Sequence, residues 1–144
     1  MIRKASKSDM PSVAALAQLL WEDSDFNDLL KNFLTINDDD DSAVFVDFKD
    51  EKMTAFAQCQ LRYDYVEGTG SSPVGYLEGI FVKEEYRKQG IAGALLHECE
   101  KWAKSKGCSE FASDCELTNT QSLDFHLAVG FSEANRIICF TKKL

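Results

Sequence analysis

The order of segments along the chain predicts an α/β fold with a mixed central β-sheet. Apolar residues recur at helical spacing in four segments, and six shorter runs are rich in residues typical of strands. They follow one another as strand, two helices, three strands, helix, strand, helix, strand, an order typical of an α/β protein. The chain has 144 residues and is 44% hydrophobic, which fits a single domain covering residues 1–144.

The N-terminal part is predicted to hold a short strand and two helices. The first residues are extended, and Ser6 with Asp9 three residues later resembles a capping box that opens a helix over about 7–21. Four apolar side chains at helical spacing predict a second, short helix over about 25–35. The aspartate run at 38–41 is expected to be a solvated turn.

The middle of the chain is predicted to hold three strands. Residues 43–48 and 53–63 form a hairpin, and a long polar loop over 64–73 separates it from an apolar strand over 74–82. Gly79 lies inside this last strand, where a glycine often marks a bulge or a close backbone approach.

The C-terminal part is predicted to complete the sheet. A helix over about 90–106 stops at Gly107, and a strand over 109–114 follows it. A short helix over 118–131 and a final strand over 136–144 end the chain.

The composition excludes some functions. A net charge of -8 argues against nucleic acid as a partner and favours cationic partners. No apolar run approaches the roughly 20 residues that cross a bilayer, and the first ten residues lack the apolar segment of a signal peptide. We therefore expect a cytoplasmic protein with no membrane partner.

The five cysteines are odd in number and scattered, and none forms a C-x-x-C pair. Two histidines are too few for most zinc spacings. We expect reduced, mostly buried thiols and no metal site.

The loop that enters the third helix is predicted to bind an anion. The first amides of a helix have no intrahelical partners and carry the positive end of the dipole. Gly90, Ala92 and Gly93 leave little side-chain bulk there, while Arg87 and Lys88 add positive charge. A phosphate fits on these main-chain N–H groups. The alternative is a loop that leads into an ordinary surface helix.

This stretch and a later one resemble a known family. Arg87-x-x-Gly90-x-Ala92 resembles the R/Q-x-x-G-x-G/A signature of the GNAT superfamily of N-acetyltransferases. The segment "NTQSLDFHLAVGF" is similar to that superfamily's N-x-x-A/S-x-x-x-Y-x-x-x-G-F pattern, with His126 at the tyrosine position.

The resemblance implies a fold and a cofactor. The fold would be the GNAT fold, a mixed central β-sheet of six to seven strands flanked by about four helices, and the anion would be the pyrophosphate of acetyl-CoA. The implied cofactor-binding residues are Ile80, Phe81, Val82, Arg87, Lys88, Gln89, Gly90, Ile91, Ala92, Gly93 and Asn119.

Three residues are candidates for catalysis. The resemblance implies an oxyanion donor at or near the main-chain N–H of Ile80. Glu78 lies two residues earlier, so strand alternation places it on the same face, where it can accept the proton of the amine; Asp114 is the alternative base. In the family, the tyrosine at the position of His126 commonly protonates the departing thiolate. Histidine can donate a proton near neutral pH, and it can equally be a packed helix residue.

A closer resemblance covers most of the chain. "YVEGT" with "SPVGYLEGI", "LLWEDSD" and the terminal "CFTKKL" resemble short aminoglycoside 6′-N-acetyltransferases. The substrate is then a polycation, which needs carboxylates and flat aromatic walls. The candidate substrate-binding residues are Trp21, Glu22, Asp23, Tyr65, Glu67, Glu78 and Asp114.

Other interpretations stay open from the sequence. The acceptor amine can belong to a polyamine, a small metabolite or a protein N-terminus. A non-catalytic acyl-CoA sensor and an interaction domain without cofactor are further alternatives. The resemblance implies a homodimer, and the strand over 136–144 can either pair across its interface or lie at a sheet edge.

Overall fold

The computed structural model describes all 144 residues and contains one five-stranded sheet in the order β1-β2-β3-β4-β5. All neighbouring strands are antiparallel except β4 and β5, which are parallel. The strands are β1 (Ile2–Lys4), β2 (Ser42–Lys49), β3 (Lys52–Arg62), β4 (Val74–Val82) and β5 (Phe111–Ser113). The helices are α1 (Met10–Leu20), α2 (Phe26–Asn37), α3 (Ile91–Ser105) and α4 (Thr120–Ala128).

Helices pack on both faces of the sheet. Alternating side chains of β3 divide between the faces: Ala57 and Cys59 pack in one core cluster with Leu95 of α3, and Phe56 packs in another with Phe33 of α2. Residues of α4 also pack against the α3 side. On the face that α1 and α2 cover, the side chains of Arg62 and Glu78 remain 37% and 20% exposed, and we call this part of the sheet the open face.

The start of α1 is fixed by the predicted capping interaction. The Asp9 carboxylate accepts hydrogen bonds from the amide and hydroxyl of Ser6, at 2.7 and 2.8 Å, and two more from the guanidinium of Arg3. These donors, the guanidinium above all, hold the pKa of Asp9 well below its usual range. The interaction ties β1 to the helix, which begins with a single 3₁₀ turn over Lys7–Asp9.

Two predicted features differ in the structure. The sheet has five strands rather than six to seven, because the segment 136–144 has no regular secondary structure and is exposed. A strand needs a hydrogen-bonded neighbour, and no strand of this chain pairs with that segment. The strand over 109–114 is shorter than predicted and consists of Phe111–Ser113 alone.

The predicted stop of α3 is confirmed. Gly107 ends the last turn of α3 with a left-handed φ of 89°. All five cysteines are free, three of them buried, while Cys115 and Cys139 are exposed. No helix is long and apolar enough to span a membrane.

Candidate functional site

The site is organised by a bulge in β4. Gln58 of β3 pairs with Gly79 and Cys59 pairs with Leu77, so Glu78 is passed over in the register. One extra residue reverses the alternation of side chains between the faces. Ile80 packs against the α3 side, and Glu78 faces the opposite side of the sheet. The prediction that Glu78 and Ile80 share a face is therefore wrong, because alternation fails across a bulge.

The strands β4 and β5 separate just at this point. They pair only over Gly75–Leu77 and Phe111–Ser113, so the stretch of β4 from 78 to 82 has no β5 neighbour. Main-chain groups on that edge are available to an extended ligand, as in strand addition. The cofactor-binding residues predicted on β4, Ile80 to Val82, all lie along this opening.

The mouth of α3 opens on the same region. Gly90 caps the helix with a left-handed φ of 79°, and a Cβ placed there would meet no atom within 4 Å. The first helical hydrogen bond runs from the amide of Ala94 to the carbonyl of Gly90, which leaves the three preceding amides without partners in the helix. An anion fits this arrangement of space, free N–H groups and dipole.

The predicted basic residues occupy the loop before this mouth. The guanidinium of Arg87 donates from Nε to the carbonyl of Val82 at 2.9 Å, which ties the loop to the end of β4. Lys88 has a left-handed φ of 59°, and Gln89 donates weakly to the carbonyl of Glu85 at 3.4 Å. All three are exposed and border the free amides.

His126 is linked to the point where β4 and β5 separate through the side chain of Ser113. Its Nδ1 donates to the carbonyl of Ser122 at 2.6 Å, and its Nε2 lies 2.8 Å from the hydroxyl of Ser113. Ser113 is the last residue of β5 paired with β4. Asn119 caps α4 by accepting from the amide of Ser122, so its side-chain NH₂ stays free for a ligand.

The open face beyond α1 and α2 carries a chain of four polar side chains. Arg62 of β3 donates from Nε and Nη2 to the two carboxylate oxygens of Glu78, at 2.9 and 3.0 Å. Its guanidinium lies 3.4 Å from the ring centroid of Tyr76. The Tyr76 hydroxyl donates in turn to Asp114. Burial and the Asp114 carboxylate raise the pKa of Tyr76, which keeps it a hydrogen-bond donor at neutral pH.

The other predicted substrate residues form two separate groups. Trp21 lies over Gly79, next to the bulge, and the exposed Glu22 and Asp23 follow it in the loop after α1. Tyr65 donates to Glu67 at 3.1 Å in the exposed loop before β4. No hydrogen bond or ion pair joins either group to Glu78 or Asp114.

A cavity of about 430 Å³ borders the first of these groups. Its lining includes Trp21, Asn32 and Ile36 of α2, and Gln58 of β3. Sequence reasoning did not single out Arg62, Ser113 or Gln58. Alternation along β3 could have placed Arg62 and Gln58 on one face, but nothing in the sequence names their partners.

The sequence is similar to characterised proteins over its whole length. A sequence profile of the acetyltransferase (GNAT) family matches residues 13–131. An aminoglycoside N(6′)-acetyltransferase type 1 of Acinetobacter baumannii is 38% identical, covering 99% of this chain and 98% of the relative. A protein of the same name from Serratia marcescens is 47% identical over 95 residues, which are 66% of this chain and 65% of the relative.

Solved structures show the same similarity. AAC(6′)-Iy, in complex with the bisubstrate analogue CoA-S-monomethyl-acetylneamine, has a TM-score of 0.96 and 36% identity, covering 100% of this chain and 98% of that one. The aminoglycoside 6′-N-acetyltransferase AAC(6′)-Ih of Acinetobacter baumannii has a TM-score of 0.95 and 38% identity, with the same coverage.

The contact of Gly79 with Trp21 gives a prediction. A methyl group at Gly79 would lie 2.8 Å from two ring atoms of Trp21, so Gly79→Ala must displace the indole. We expect the indole N–H resonance of Trp21 to shift in NMR spectra while that of Trp102 keeps its position. Gly70→Ala is the control, since a Cβ there meets nothing within 4 Å. An unmoved Trp21 resonance in Gly79→Ala would contradict this packing.

Proposed function

Because the chain belongs to the acetyltransferase (GNAT) family, we propose that it transfers an acetyl group from acetyl-CoA to the 6′-amine of an aminoglycoside. The observation that carries the proposal is the similarity, over almost the full length, to enzymes of that activity. The acidic composition and the carboxylates on the open face support a polycationic acceptor. Acetylation turns a cationic amine into a neutral amide, which is a chemical basis for resistance to such an antibiotic.

The donor binds on the α3 side of the sheet. The amides of Ile91, Ala92 and Gly93 hold the pyrophosphate, with added positive charge from Arg87 and Lys88. The unpaired edge of β4 from 78 to 82 holds the pantetheine arm, together with the side-chain amide of Asn119. Acetyl-CoA supplies the activated acetyl group, and this chain positions it.

The acceptor binds on the opposite face of β4. Glu78 and Asp114 offer carboxylates to its ammonium and hydroxyl groups, and Trp21 provides an apolar wall beside them. Glu22, Asp23, Tyr65 and Glu67 form the rim of this face. The reacting amine meets the thioester where the two strands part, because β4 has no neighbouring strand between the two faces there.

Glu78, Ile80 and His126 each have a separate role in the acetyl transfer. Glu78 accepts a hydrogen bond from the neutral amine and then the proton that its nitrogen loses on attacking the thioester, and the main-chain N–H of Ile80 stabilises the oxyanion. The proton that the thiolate needs comes from the imidazolium of His126 through Ser113: Nε2 gives its proton to the hydroxyl oxygen, and the hydroxyl gives its own to sulfur. His126 ends neutral, with its Nδ1–H still on the carbonyl of Ser122.

We also propose a homodimer joined by the C-terminal segment. Ile137, Ile138 and Phe140 are 67%, 80% and 86% exposed, and the outer edge of β5 has no neighbouring strand. An apolar segment and an open sheet edge satisfy each other when the segment of one copy pairs with the edge of another. We further propose that the enzyme is cytoplasmic, where its five free thiols stay reduced. We also propose that residues 1–144 form one domain.

The dimer is tested by making the segment polar. Ile138→Asp combined with Phe140→Asp should convert a dimer into a monomer in sedimentation experiments, because charged side chains oppose burial. Leu19→Asp, which changes an exposed leucine of α1, is the control and should leave the mass unchanged. A monomeric wild-type protein would contradict the proposal.

The anion site is tested by a matched pair of glycine substitutions. Gly90→Ala and Gly107→Ala both force alanine into a left-handed conformation, at a cost of about 1–2 kcal/mol, and neither methyl meets an atom within 4 Å. Only Gly90 lies at the proposed pyrophosphate site. We expect the Kd for CoA, measured by calorimetry, to rise at least tenfold in Gly90→Ala and to stay near the wild-type value in Gly107→Ala. Equal effects would refute the site.

The activity is tested by incubating the protein with acetyl-CoA and kanamycin A. Mass spectrometry should show one added acetyl group, and fragmentation should locate it on the 6′-amine. Spermidine and a peptide with a free N-terminus, assayed in parallel for thiol release, represent the other amine classes. Binding of acetyl-CoA without acetylation of any amine would identify a sensor instead of an enzyme.

A further inference from the structure

Arg62 is an unexpected residue on a surface that receives a polycation. Its side chain is 37% exposed on the open face, and it occupies both oxygens of Glu78 while it stacks on Tyr76. A fixed positive charge there repels the ammonium groups of an acceptor. It also neutralises the carboxylate of Glu78, which directly follows the last residue of β4 that pairs with β5.

The reaction requires a neutral amine, and this requirement explains why Glu78 is paired with Arg62. Only the neutral amine has a lone pair that can attack the thioester. A lone carboxylate beside the amine favours its ammonium form, whereas a carboxylate paired with a guanidinium has much less net charge. Such a carboxylate still has lone pairs free, since a carboxylate offers about four acceptor sites and Arg62 uses two.

We propose that Arg62 is a positioning residue that fixes Glu78 as a hydrogen-bond acceptor of low net charge, so that the acceptor amine is held as the reactive free base. Arg62 acts through Glu78 and needs no contact with the substrate. This inference rests on the proposed function, because it assigns Arg62 a part in the same acetyl transfer.

The other charged and titratable groups around the pair do not replace this effect. Tyr76 of β4 and Asp114 after β5 bond to each other, and Tyr76 remains protonated at neutral pH. The loop before β4 adds Tyr65 and Glu67, and the loop after α1 adds Glu22 and Asp23. All these carboxylates favour the ammonium form, and the guanidinium of Arg62 opposes them at Glu78.

The test is the pH dependence of kcat with kanamycin A and acetyl-CoA at saturation. In Arg62→Gln, the exposed charge of Glu78 should raise the pKa of the bound amine, so the pH at which kcat is half-maximal rises by about one unit. At neutral pH, kcat should then fall about tenfold, since a smaller fraction of the amine is neutral. KM should fall as well, because the cleft becomes more negative, and kcat should recover at high pH.

Three further variants separate this role from a structural one. Arg62→Lys keeps the charge and should retain the wild-type pH midpoint even where kcat drops. Glu78→Gln leaves Arg62 unopposed and should move the midpoint in the opposite direction, to lower pH. The double variant Arg62→Gln/Glu78→Gln should return it close to that of the wild type.

Several outcomes would overturn the inference. One is an unchanged pH midpoint in Arg62→Gln, and another is a loss of kcat that high pH does not restore in a variant with wild-type thermal unfolding. The third is a double variant whose midpoint stays at the Arg62→Gln value. Failure of the wild-type protein to acetylate kanamycin A is a different result that contradicts the acceptor assignment. In that case, kcat is measured against pH with whichever amine gives thiol release. If no amine gives thiol release, both the proposed acetyl transfer and the role of Arg62 are refuted.

Discussion

The bulge at Glu78 is the constraint on which the site depends. An uninterrupted β4 would keep Glu78 and Ile80 on one face, so that either the carboxylate would be buried on the α3 side, which is costly without a partner, or Ile80 would lose its place in the core. The extra residue allows Glu78 to face the open side while Ile80 packs on the α3 side. Gly79 completes the bulge, because only a residue without a side chain leaves room for the ring of Trp21.

In the proposed function, the same strand therefore serves two ligands with opposite charges. On the α3 side, free helix amides and the basic loop present positive potential to a pyrophosphate. On the open face, carboxylates present negative potential to a polycation. The sheet separates the two, and the parting of β4 from β5 is the place where they meet. The reaction needs this proximity more than it needs any strong acid or base.

Local sequence was sufficient for much of the fold. The capping residues Ser6 and Asp9, the stop at Gly107 and the apolar periodicities depend on near neighbours, and the structure agrees with them. The start of α3 after Gly90 was likewise predictable, because it depends on consecutive residues. Gly79 was identified as a bulge or a close approach, and it is both.

The failures of prediction all involve distant partners. The side to which Glu78 points depends on how β4 aligns with β3, and a register cannot be obtained from one strand. Arg62 and Ser113 matter because of Glu78 and His126, which lie 16 and 13 residues away in the sequence. The segment 136–144 has the composition of a strand, but no partner within the chain.

The separation of the two faces also bears on how such an enzyme diversifies. The donor side is built from main-chain amides and from strand residues that the core holds in place, so few substitutions are tolerated there. The rim of the acceptor side consists of exposed loops, which tolerate substitution more readily. Descendants of this sequence can thus acquire new antibiotics as acceptors while they inherit the machinery for the acetyl donor unchanged.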